Sequence, residues 1–176
     1  NLGSTAHLAQ TGVAQMNALD AARLGLDAMT HFYGLFEALY KHHDVQPWPA
    51  GMNYNDEQFR FGQVARQWNL IHERGSREWK ALLKEFKELD FILDPTMTAY
   101  LASRDVMRAR NADWHKKYTL PSQWEFYQPS RVYHGSYYYD WTTWDEVAWK
   151  NFFRIWMSFL NDYDNIGGRV TVSSDA

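Results

Sequence analysis

The sequence predicts a parallel α/β fold, and the order of its predicted elements favours this class. Short β-like runs alternate with longer segments of helical pattern along the chain. A parallel pairing needs such connections, because each one must cross over the sheet, usually through a helix. Hydrophobic residues make up 45% of the 176 positions, which is enough for a core and excludes a disordered chain.

The first part of the chain contains two predicted strands. Residues 5–8 are the first, and a helix is predicted over residues 13–24, where apolar residues recur with a period near 3.6. The run at residues 28–32 is the second predicted strand, and residues 35–40 return to helical spacing. Residues 44–56 are rich in Pro, Gly, Asn and Asp and predict a long loop.

The middle of the chain carries a strongly amphipathic helix followed by a third strand. Residues 77–89 place their apolar side chains on one face, as a helix packed against a core requires. Residues 91–93 predict a strand that Pro95 ends, because proline has no N–H to donate to a sheet. The mixed, more polar pattern of residues 101–118 predicts another helix.

The last part is the richest in aromatic residues. Residues 121–141 predict an irregular, aromatic segment. Thr143 and Glu146 have the spacing of a capping box, which predicts a helix from there to about residue 163. Residues 169–176 predict a final strand, and because a domain rarely stops at a strand, we expect the chain to be an internal piece of a longer protein.

Composition excludes several classes of protein. The chain has 18 basic and 21 acidic residues, a net charge of −3, so we expect no nucleic-acid partner. It has no cysteine, which excludes a disulfide scaffold and a thiolate metal site. The most apolar stretch, residues 152–160, is far shorter than the roughly 20 residues of a membrane-spanning helix, so we expect no membrane span.

Three metal-ligand residue types follow predicted strands. His7 and His31 end two of the runs, and Asp175 ends the last one. In parallel α/β folds the carboxyl ends of the strands build the active site, and imidazole and carboxylate suit zinc or a similar divalent ion. Each residue alone has a plainer interpretation: a single histidine at a strand end is often structural, and Asp175 could cap a following helix. Their combination at strand ends favours a metal site.

Four segments together resemble a known family. They are Thr5-Ala6-His7-Leu8, Met29-Thr30-His31, Leu93-Asp94-Pro95-Thr96 and Val170-Thr171-Val172-Ser173-Ser174-Asp175. Their order and spacing resemble those of strands five to eight in the metal-dependent amidohydrolase superfamily. The resemblance implies a partial (β/α)8 TIM-type barrel, with a long aromatic-rich excursion before the last strand. Residues 1–176 would then be one piece of a single catalytic barrel domain, its carboxyl-side half.

The resemblance also implies an activity and roles for individual residues. His7 and His31 would be the strand-five and strand-six metal ligands, and Asp175 the strand-eight ligand and catalytic proton carrier. The expected cofactor is a divalent metal, zinc in one or two ions, and the expected reaction is hydrolysis of a C–N bond in an amide, cyclic amide or peptide. The family's His-x-His pair and strand-four ligand are absent from this sequence, so we expect the amino-terminal half of the barrel as a partner and no activity without it.

The aromatic excursion would lie over the mouth of such a barrel. Arg131 could bind a carboxylate of a small-molecule or peptide substrate, and His134 could contact that substrate. The aromatic residues around them could equally pack the excursion onto the barrel rim. An alternative function is an aromatic-rich ligand- or carbohydrate-binding module without catalysis, which predicts an open groove lined by four tryptophans: Trp114, Trp124, Trp141 and Trp144.

Overall fold

The protein has a four-strand parallel sheet, as the sequence predicts. The computed structural model describes residues 3–8, 16–42, 48, 51–53, 56–126, 128 and 139–174. Every strand in this part pairs in parallel with the next one along the chain, so the spatial order is also the sequence order. The strands are β1 (Thr5–His7), β2 (Ala28–Thr30), β3 (Ile92–Asp94) and β4 (Arg169–Val170).

Helices connect the strands. In chain order, the helices of the described part are α1 (Ala18–Arg23), α2 (Glu57–Val64), α3 (Arg77–Glu88), α4 (Met97–Arg104), α5 (Val106–Arg110), α6 (His115–Tyr118), α7 (Pro121–Phe126) and α8 (Thr143–Asn165). Two short 3-10 helices cover Phe36–Leu39 and Gln67–Asn69. No helix of this part has both the length and the apolarity to cross a membrane.

Helix α1 begins later than the sequence predicts. Asn17 has an extended backbone, and its side chain accepts hydrogen bonds from the N–H groups of Leu19 (3.0 Å) and Asp20 (3.2 Å). The carboxylate of Asp20 accepts from Asn17 N in return (3.2 Å), which completes a capping box. The prediction of one continuous helix over residues 13–24 is therefore wrong, because the capping box at Asn17 sets the start of α1. Residues 13–15 lie outside the described part.

Three further predictions differ from the structure for local reasons. The helix predicted over residues 101–118 is divided into α4, α5 and α6, and Asp105 interrupts it with a non-helical backbone (φ −138°, ψ 63°). The capping box of α8 lies one residue earlier than predicted: Thr142 donates to Asp145 through both its backbone N–H (2.9 Å) and its hydroxyl (2.8 Å). Residues 121–141, predicted to be irregular, contain the helix α7.

The main helices form one layer against the sheet. Helix α1 contacts α3, and α3 contacts α8, so the crossovers that precede β2, β3 and β4 lie side by side. Met29 of β2 and Leu93 of β3 are completely buried beneath this layer. On the opposite face of the sheet, Thr5 is exposed, and Ala28 and Ile92 are only half-buried. The described part of the chain therefore covers one face of the sheet much better than the other.

Aromatic rings dominate the interior. We call the following fully buried side chains the aromatic core: Phe32, Phe36, Trp79, Phe86, Phe91, Trp149, Phe152, Trp156, Phe159 and Tyr163. Most of their ring contacts are edge-to-face, the geometry that the ring quadrupole favours. Trp149 stacks against three rings: Tyr100 (centroids 5.9 Å apart, planes at 10°), Trp141 (5.7 Å, 24°) and Phe61 (5.9 Å, 24°).

Polar contacts attach α8 to the elements around it. The Tyr163 hydroxyl donates to the carbonyl of Phe91 (2.7 Å), and burial raises the pKa of Tyr163 to about 12. Arg74 binds Asp162 through two nitrogens (2.6 and 2.9 Å), and these hydrogen bonds hold the pKa of Asp162 below its usual value. These contacts fix the helix that leads directly into β4.

Candidate functional site

Two of the predicted site residues meet at the carboxyl ends of neighbouring strands. His7 is the last residue of β1 and pairs with Thr30, the last residue of β2; His31 follows directly. The two imidazole rings are 4.6 Å apart between centroids, in an edge-to-face arrangement. The structure therefore brings together two side chains that are far apart in the sequence, at the edge where the sequence predicts them.

The Nδ1 atom of each histidine is held by an oxygen atom. In His7 it lies 2.9 Å from the carbonyl oxygen of Leu8, which can only accept, so Nδ1 carries the proton. In His31 it lies 2.7 Å from the hydroxyl of Thr96, which can donate or accept. Because Nδ1 is engaged in both rings, Nε2 is the atom that each would offer to a metal.

The backbone at this edge is strained. His31 and Thr96 have positive φ angles (64° and 46°), a left-handed conformation that costs a non-glycine residue roughly 1–2 kcal/mol. Both residues are buried, with 6% and 3% of their surface exposed. Such strain persists only where the surrounding structure enforces it, and it is frequent at functional sites.

The end of β3 completes the edge. The carbonyl oxygen of Asp94 accepts a hydrogen bond from His31 N (2.8 Å), and its carboxylate accepts one from the hydroxyl of Ser173, which follows β4. We call His7, His31, Asp94 and Thr96 the carboxyl edge. Within the described residues, no three His, Cys, Asp or Glu side chains are grouped closely enough to hold a metal ion.

Two tyrosines form a wall beside the histidines. The Tyr33 ring lies 4.8 Å from that of His7 and 5.3 Å from that of His31, and the Tyr100 ring lies 5.8 Å from that of His31. Their hydroxyl groups are 3.3 Å apart, and both side chains are buried. The histidine pair is therefore bounded on one side by aromatic rings that continue into the aromatic core.

The remaining predicted site residues are not located. Asp175, Arg131 and His134 lie outside the described residues, so the proton-carrying and substrate-binding roles assigned to them stay predictions. The metal-ligand roles of His7 and His31 also stay predictions, since proximity of the rings does not establish what they bind.

The four tryptophans of the alternative function differ in their surroundings. Trp141 is packed against the aromatic core, and Trp124 lies against the ring of His115 (4.3 Å between centroids). Trp114 and Trp144 are 58% and 80% exposed. Trp114 also contacts the ring of His115 (5.6 Å between centroids), so three of the four rings have ring contacts within the described residues, although Trp114 and Trp144 remain largely exposed.

Sequence reasoning missed three residues of this site. Thr96 enters only as the end of the segment Leu93-Asp94-Pro95-Thr96, and nothing in the sequence marks Tyr33 or Tyr100 as site residues. A weak signal existed for Tyr33, which lies two residues after His31 and so close to the end of β2. Tyr100 lies on α4, and only the fold brings it near the histidines.

Compared with protein-family models, curated proteins and solved structures, the chain gave no match.

Proposed function

We propose that this chain is the carboxyl-side half of a (β/α)8 barrel in a metal-dependent hydrolase of C–N bonds. The single observation that carries the proposal is the contact between His7 and His31, at the carboxyl ends of adjacent parallel strands. In barrels of this type the catalytic groups come from that end of several different strands.

The order of the strands supports a barrel. In a doubly wound sheet the strand order reverses at a switch point, and helices lie on both faces. Here four consecutive parallel strands keep their sequence order, and the main crossover helices lie side by side. Right-handed crossovers without a reversal place all helices on one face, as the outer ring of a barrel requires.

The poorly covered face of the sheet is a second argument. All-parallel sheets occur almost only with both faces covered. In the described part, Ile92 and Ala28 are half-buried on the face opposite the helices, and Thr5 is exposed there. Four further strands closing the barrel would bury these side chains in its interior.

The donor atoms at the carboxyl edge fit a divalent metal. Two imidazoles that each have Nδ1 engaged would bind through Nε2, and Asp175 would add a carboxylate by the family resemblance. When bound, zinc would lower the pKa of a coordinated water to about 7 and polarise the scissile carbonyl.

The protein's own groups would supply the remaining chemistry. The carboxylate of Asp175 would take a proton from the attacking water and give it to the leaving nitrogen. Arg131 would bind a substrate carboxylate and His134 would contact the substrate, a small amide, cyclic amide or peptide. Tyr33 and Tyr100, whose rings bound the histidine pair, would restrict access of water from that side.

The decisive experiment measures zinc content and hydrolysis in the full-length protein. We expect His7→Ala and His31→Ala each to lose zinc and turnover together, because each removes a ligand atom. His72→Ala is the matched control: this histidine lies 3.6 Å from Glu78, in a surface pair, and its loss should change neither quantity. Full zinc occupancy and normal turnover in both site variants would refute the proposal.

The exposed tryptophans favour the binding-module alternative and give it a separate test. Trp114 and Trp144 offer flat apolar surfaces to solvent, as carbohydrate-binding rings do. If Trp114→Ala and Trp144→Ala abolish binding to an immobilised polysaccharide, while no amide is hydrolysed by the unmodified protein, the binding module replaces the hydrolase.

A further inference from the structure

A cleft of the molecule shares no residue with the carboxyl edge. It is bounded by the 3-10 helix Gln67–Asn69, by helix α8 and by the first turn of α3. Its volume is about 360 Å³, and small-molecule sites commonly measure roughly 300–1,000 Å³. The cleft is therefore large enough for a small ligand that is separate from the proposed substrate.

The cleft offers apolar surface to such a ligand. Trp79 and Ile71 line it and are 1% and 5% exposed, so they are fixed by the packing around them. Trp68 adds an indole ring that is 37% exposed. An aromatic or long aliphatic group bound here would remove apolar area from water, which is favourable.

Arg74 also lines the cleft, but its charge is already balanced. It binds Asp162 through two nitrogens and donates to the hydroxyl of Ser158 (3.3 Å). Asp162 accepts a further hydrogen bond from the indole N–H of Trp79 (3.1 Å). These bonds join α3 and α8 to the segment between them, so this wall of the cleft is formed before any ligand binds.

The two other charges of the cleft have opposite signs. Lys41 and Glu73 both line it, and both are exposed. Across the part of the chain that the structure describes, neither side chain forms an ion pair or a hydrogen bond, with the other or with a third residue. An antiparallel bridge between Tyr40 and Ile71 holds their two segments side by side. A cation and an anion that line one cleft without pairing are complementary to a zwitterion.

We propose that this cleft binds a free amino acid with a large apolar side chain. The Lys41 ammonium binds its α-carboxylate, and the Glu73 carboxylate binds its α-ammonium. Its side chain lies against the indole of Trp68 and the buried surface of Trp79. A ligand with one charge would leave either Lys41 or Glu73 without a partner, so the site prefers the zwitterion. This inference does not depend on the proposed hydrolase activity.

The first test compares three probes of similar shape on the full-length protein. L-Phenylalanine carries both charges, 3-phenylpropionate lacks the ammonium and phenethylamine lacks the carboxylate. Isothermal titration calorimetry measures each affinity. We expect phenylalanine to bind at least about tenfold more tightly than either of the others, because each of them loses a hydrogen bond between charged groups. Equal affinity for all three, or no binding of phenylalanine at millimolar concentration, would overturn the proposal.

The second test assigns each charge to its residue. Lys41→Gln should weaken phenylalanine binding roughly tenfold and leave phenethylamine binding unchanged, because phenethylamine has no carboxylate. Glu73→Gln should weaken phenylalanine binding to a similar extent and leave 3-phenylpropionate binding unchanged. The matched controls are Lys84→Gln and Glu88→Gln, which belong to an exposed ion pair on α3 (3.3 Å) and should change no affinity. Unchanged phenylalanine binding in both cleft variants would refute the site.

A third measurement separates the cleft from the carboxyl edge. In His7→Ala we expect phenylalanine to bind as tightly as in the unmodified protein, because His7 does not line the cleft. Loss of phenylalanine binding in His7→Ala would locate the amino acid at the carboxyl edge and reject the cleft. Absence of zinc and turnover in a protein that still binds phenylalanine through Lys41 and Glu73 would refute the hydrolase and keep the amino-acid site.

Discussion

The aromatic core and the carboxyl edge are neighbours, yet their side chains are held in different ways. In the core, fully buried rings such as Trp79 and Trp156 pack edge-to-face within regular helices. At the edge, His31 and Thr96 are also buried, but their backbones are left-handed and a single hydrogen bond joins them. Burial of apolar area stabilises the core, whereas the backbone strain that places polar atoms at the edge reduces the stability of the protein.

This contrast predicts that stability and site geometry depend on different residues. Replacing a core ring should cost much stability, because the cavity cannot close completely. Replacing a left-handed edge residue by glycine should cost little stability, because relief of backbone strain offsets the lost contacts. The four variants below test this division, in order of decreasing effect on the free energy of unfolding.

Truncation of a core ring should have the largest effect. Trp156→Ala removes a completely buried indole, and we expect unfolding to become easier by roughly 3–5 kcal/mol. Trp144→Ala, where the ring is 80% exposed, should change the free energy of unfolding by less than about 0.5 kcal/mol. Urea denaturation measures both, and similar losses in the two variants would break the comparison.

Overpacking the core should have the next largest effect. A Cβ added at Gly168 would overlap the Tyr163 ring, which is fully buried and cannot move aside. We expect Gly168→Ala to destabilise the protein by roughly 1–3 kcal/mol. Gly51→Ala is the control, since a Cβ there meets no atom of the described residues within 4 Å. A thermal melt that is the same for the two variants would contradict this account of the packing.

A buried hydroxyl of the core should give a smaller, pH-dependent effect. Tyr163→Phe leaves the Phe91 carbonyl without its hydrogen bond, which costs about 1 kcal/mol at neutral pH. The pKa of Tyr163 is raised from 10.0 to about 12, so its stabilising contribution is complete below pH 10. It is lost between pH 10 and 12, because the unfolded chain ionises first.

The difference in free energy of unfolding between the unmodified protein and Tyr163→Phe should therefore shrink over this range of pH. Denaturation curves recorded from pH 8 to pH 12 measure it. A difference that stays constant to pH 12 would show that burial does not raise this pKa.

An edge variant should have the smallest effect on stability. In Thr96→Gly, relief of left-handed strain of roughly 1–2 kcal/mol offsets the lost hydrogen bond and the lost methyl contact, so we expect a net change within about 1 kcal/mol of zero. A loss of stability comparable to that of Trp156→Ala would mean that core and edge are not separate in their roles.

The sequence predicts the regular parts of the fold well. Helix α3 shows the amphipathic pattern of residues 77–89, and the strands at residues 28–32 and 91–93 appear as β2 and β3. Burial of apolar side chains determines where these elements form, and the spacing of apolar residues in the sequence shows which side chains are buried. The start of α1 is harder to predict, because the apolar pattern continues upstream of Asn17, whereas the cap at Asn17 starts the helix.

The site is predictable only in part. Strand-end positions identify His7 and His31, because parallel strands place their carboxyl ends at one edge. The left-handed backbone of Thr96 has no sequence signal, since neither glycine nor asparagine occupies that position. Its bond to His31 depends on the pairing of β2 with β3, which only the tertiary structure establishes.

The stacked rings of Tyr100 and Trp149 provide a spectroscopic signal beside the carboxyl edge. Tyr100 contacts His31, and its ring lies almost parallel to that of Trp149, 5.9 Å away. Aromatic rings held in a fixed arrangement produce near-ultraviolet circular dichroism, which disappears when tertiary packing is lost. A ligand that moved His31 would be expected to shift Tyr100 against Trp149, so a change in near-ultraviolet circular dichroism on adding a candidate ligand would be a label-free sign that it binds at this edge.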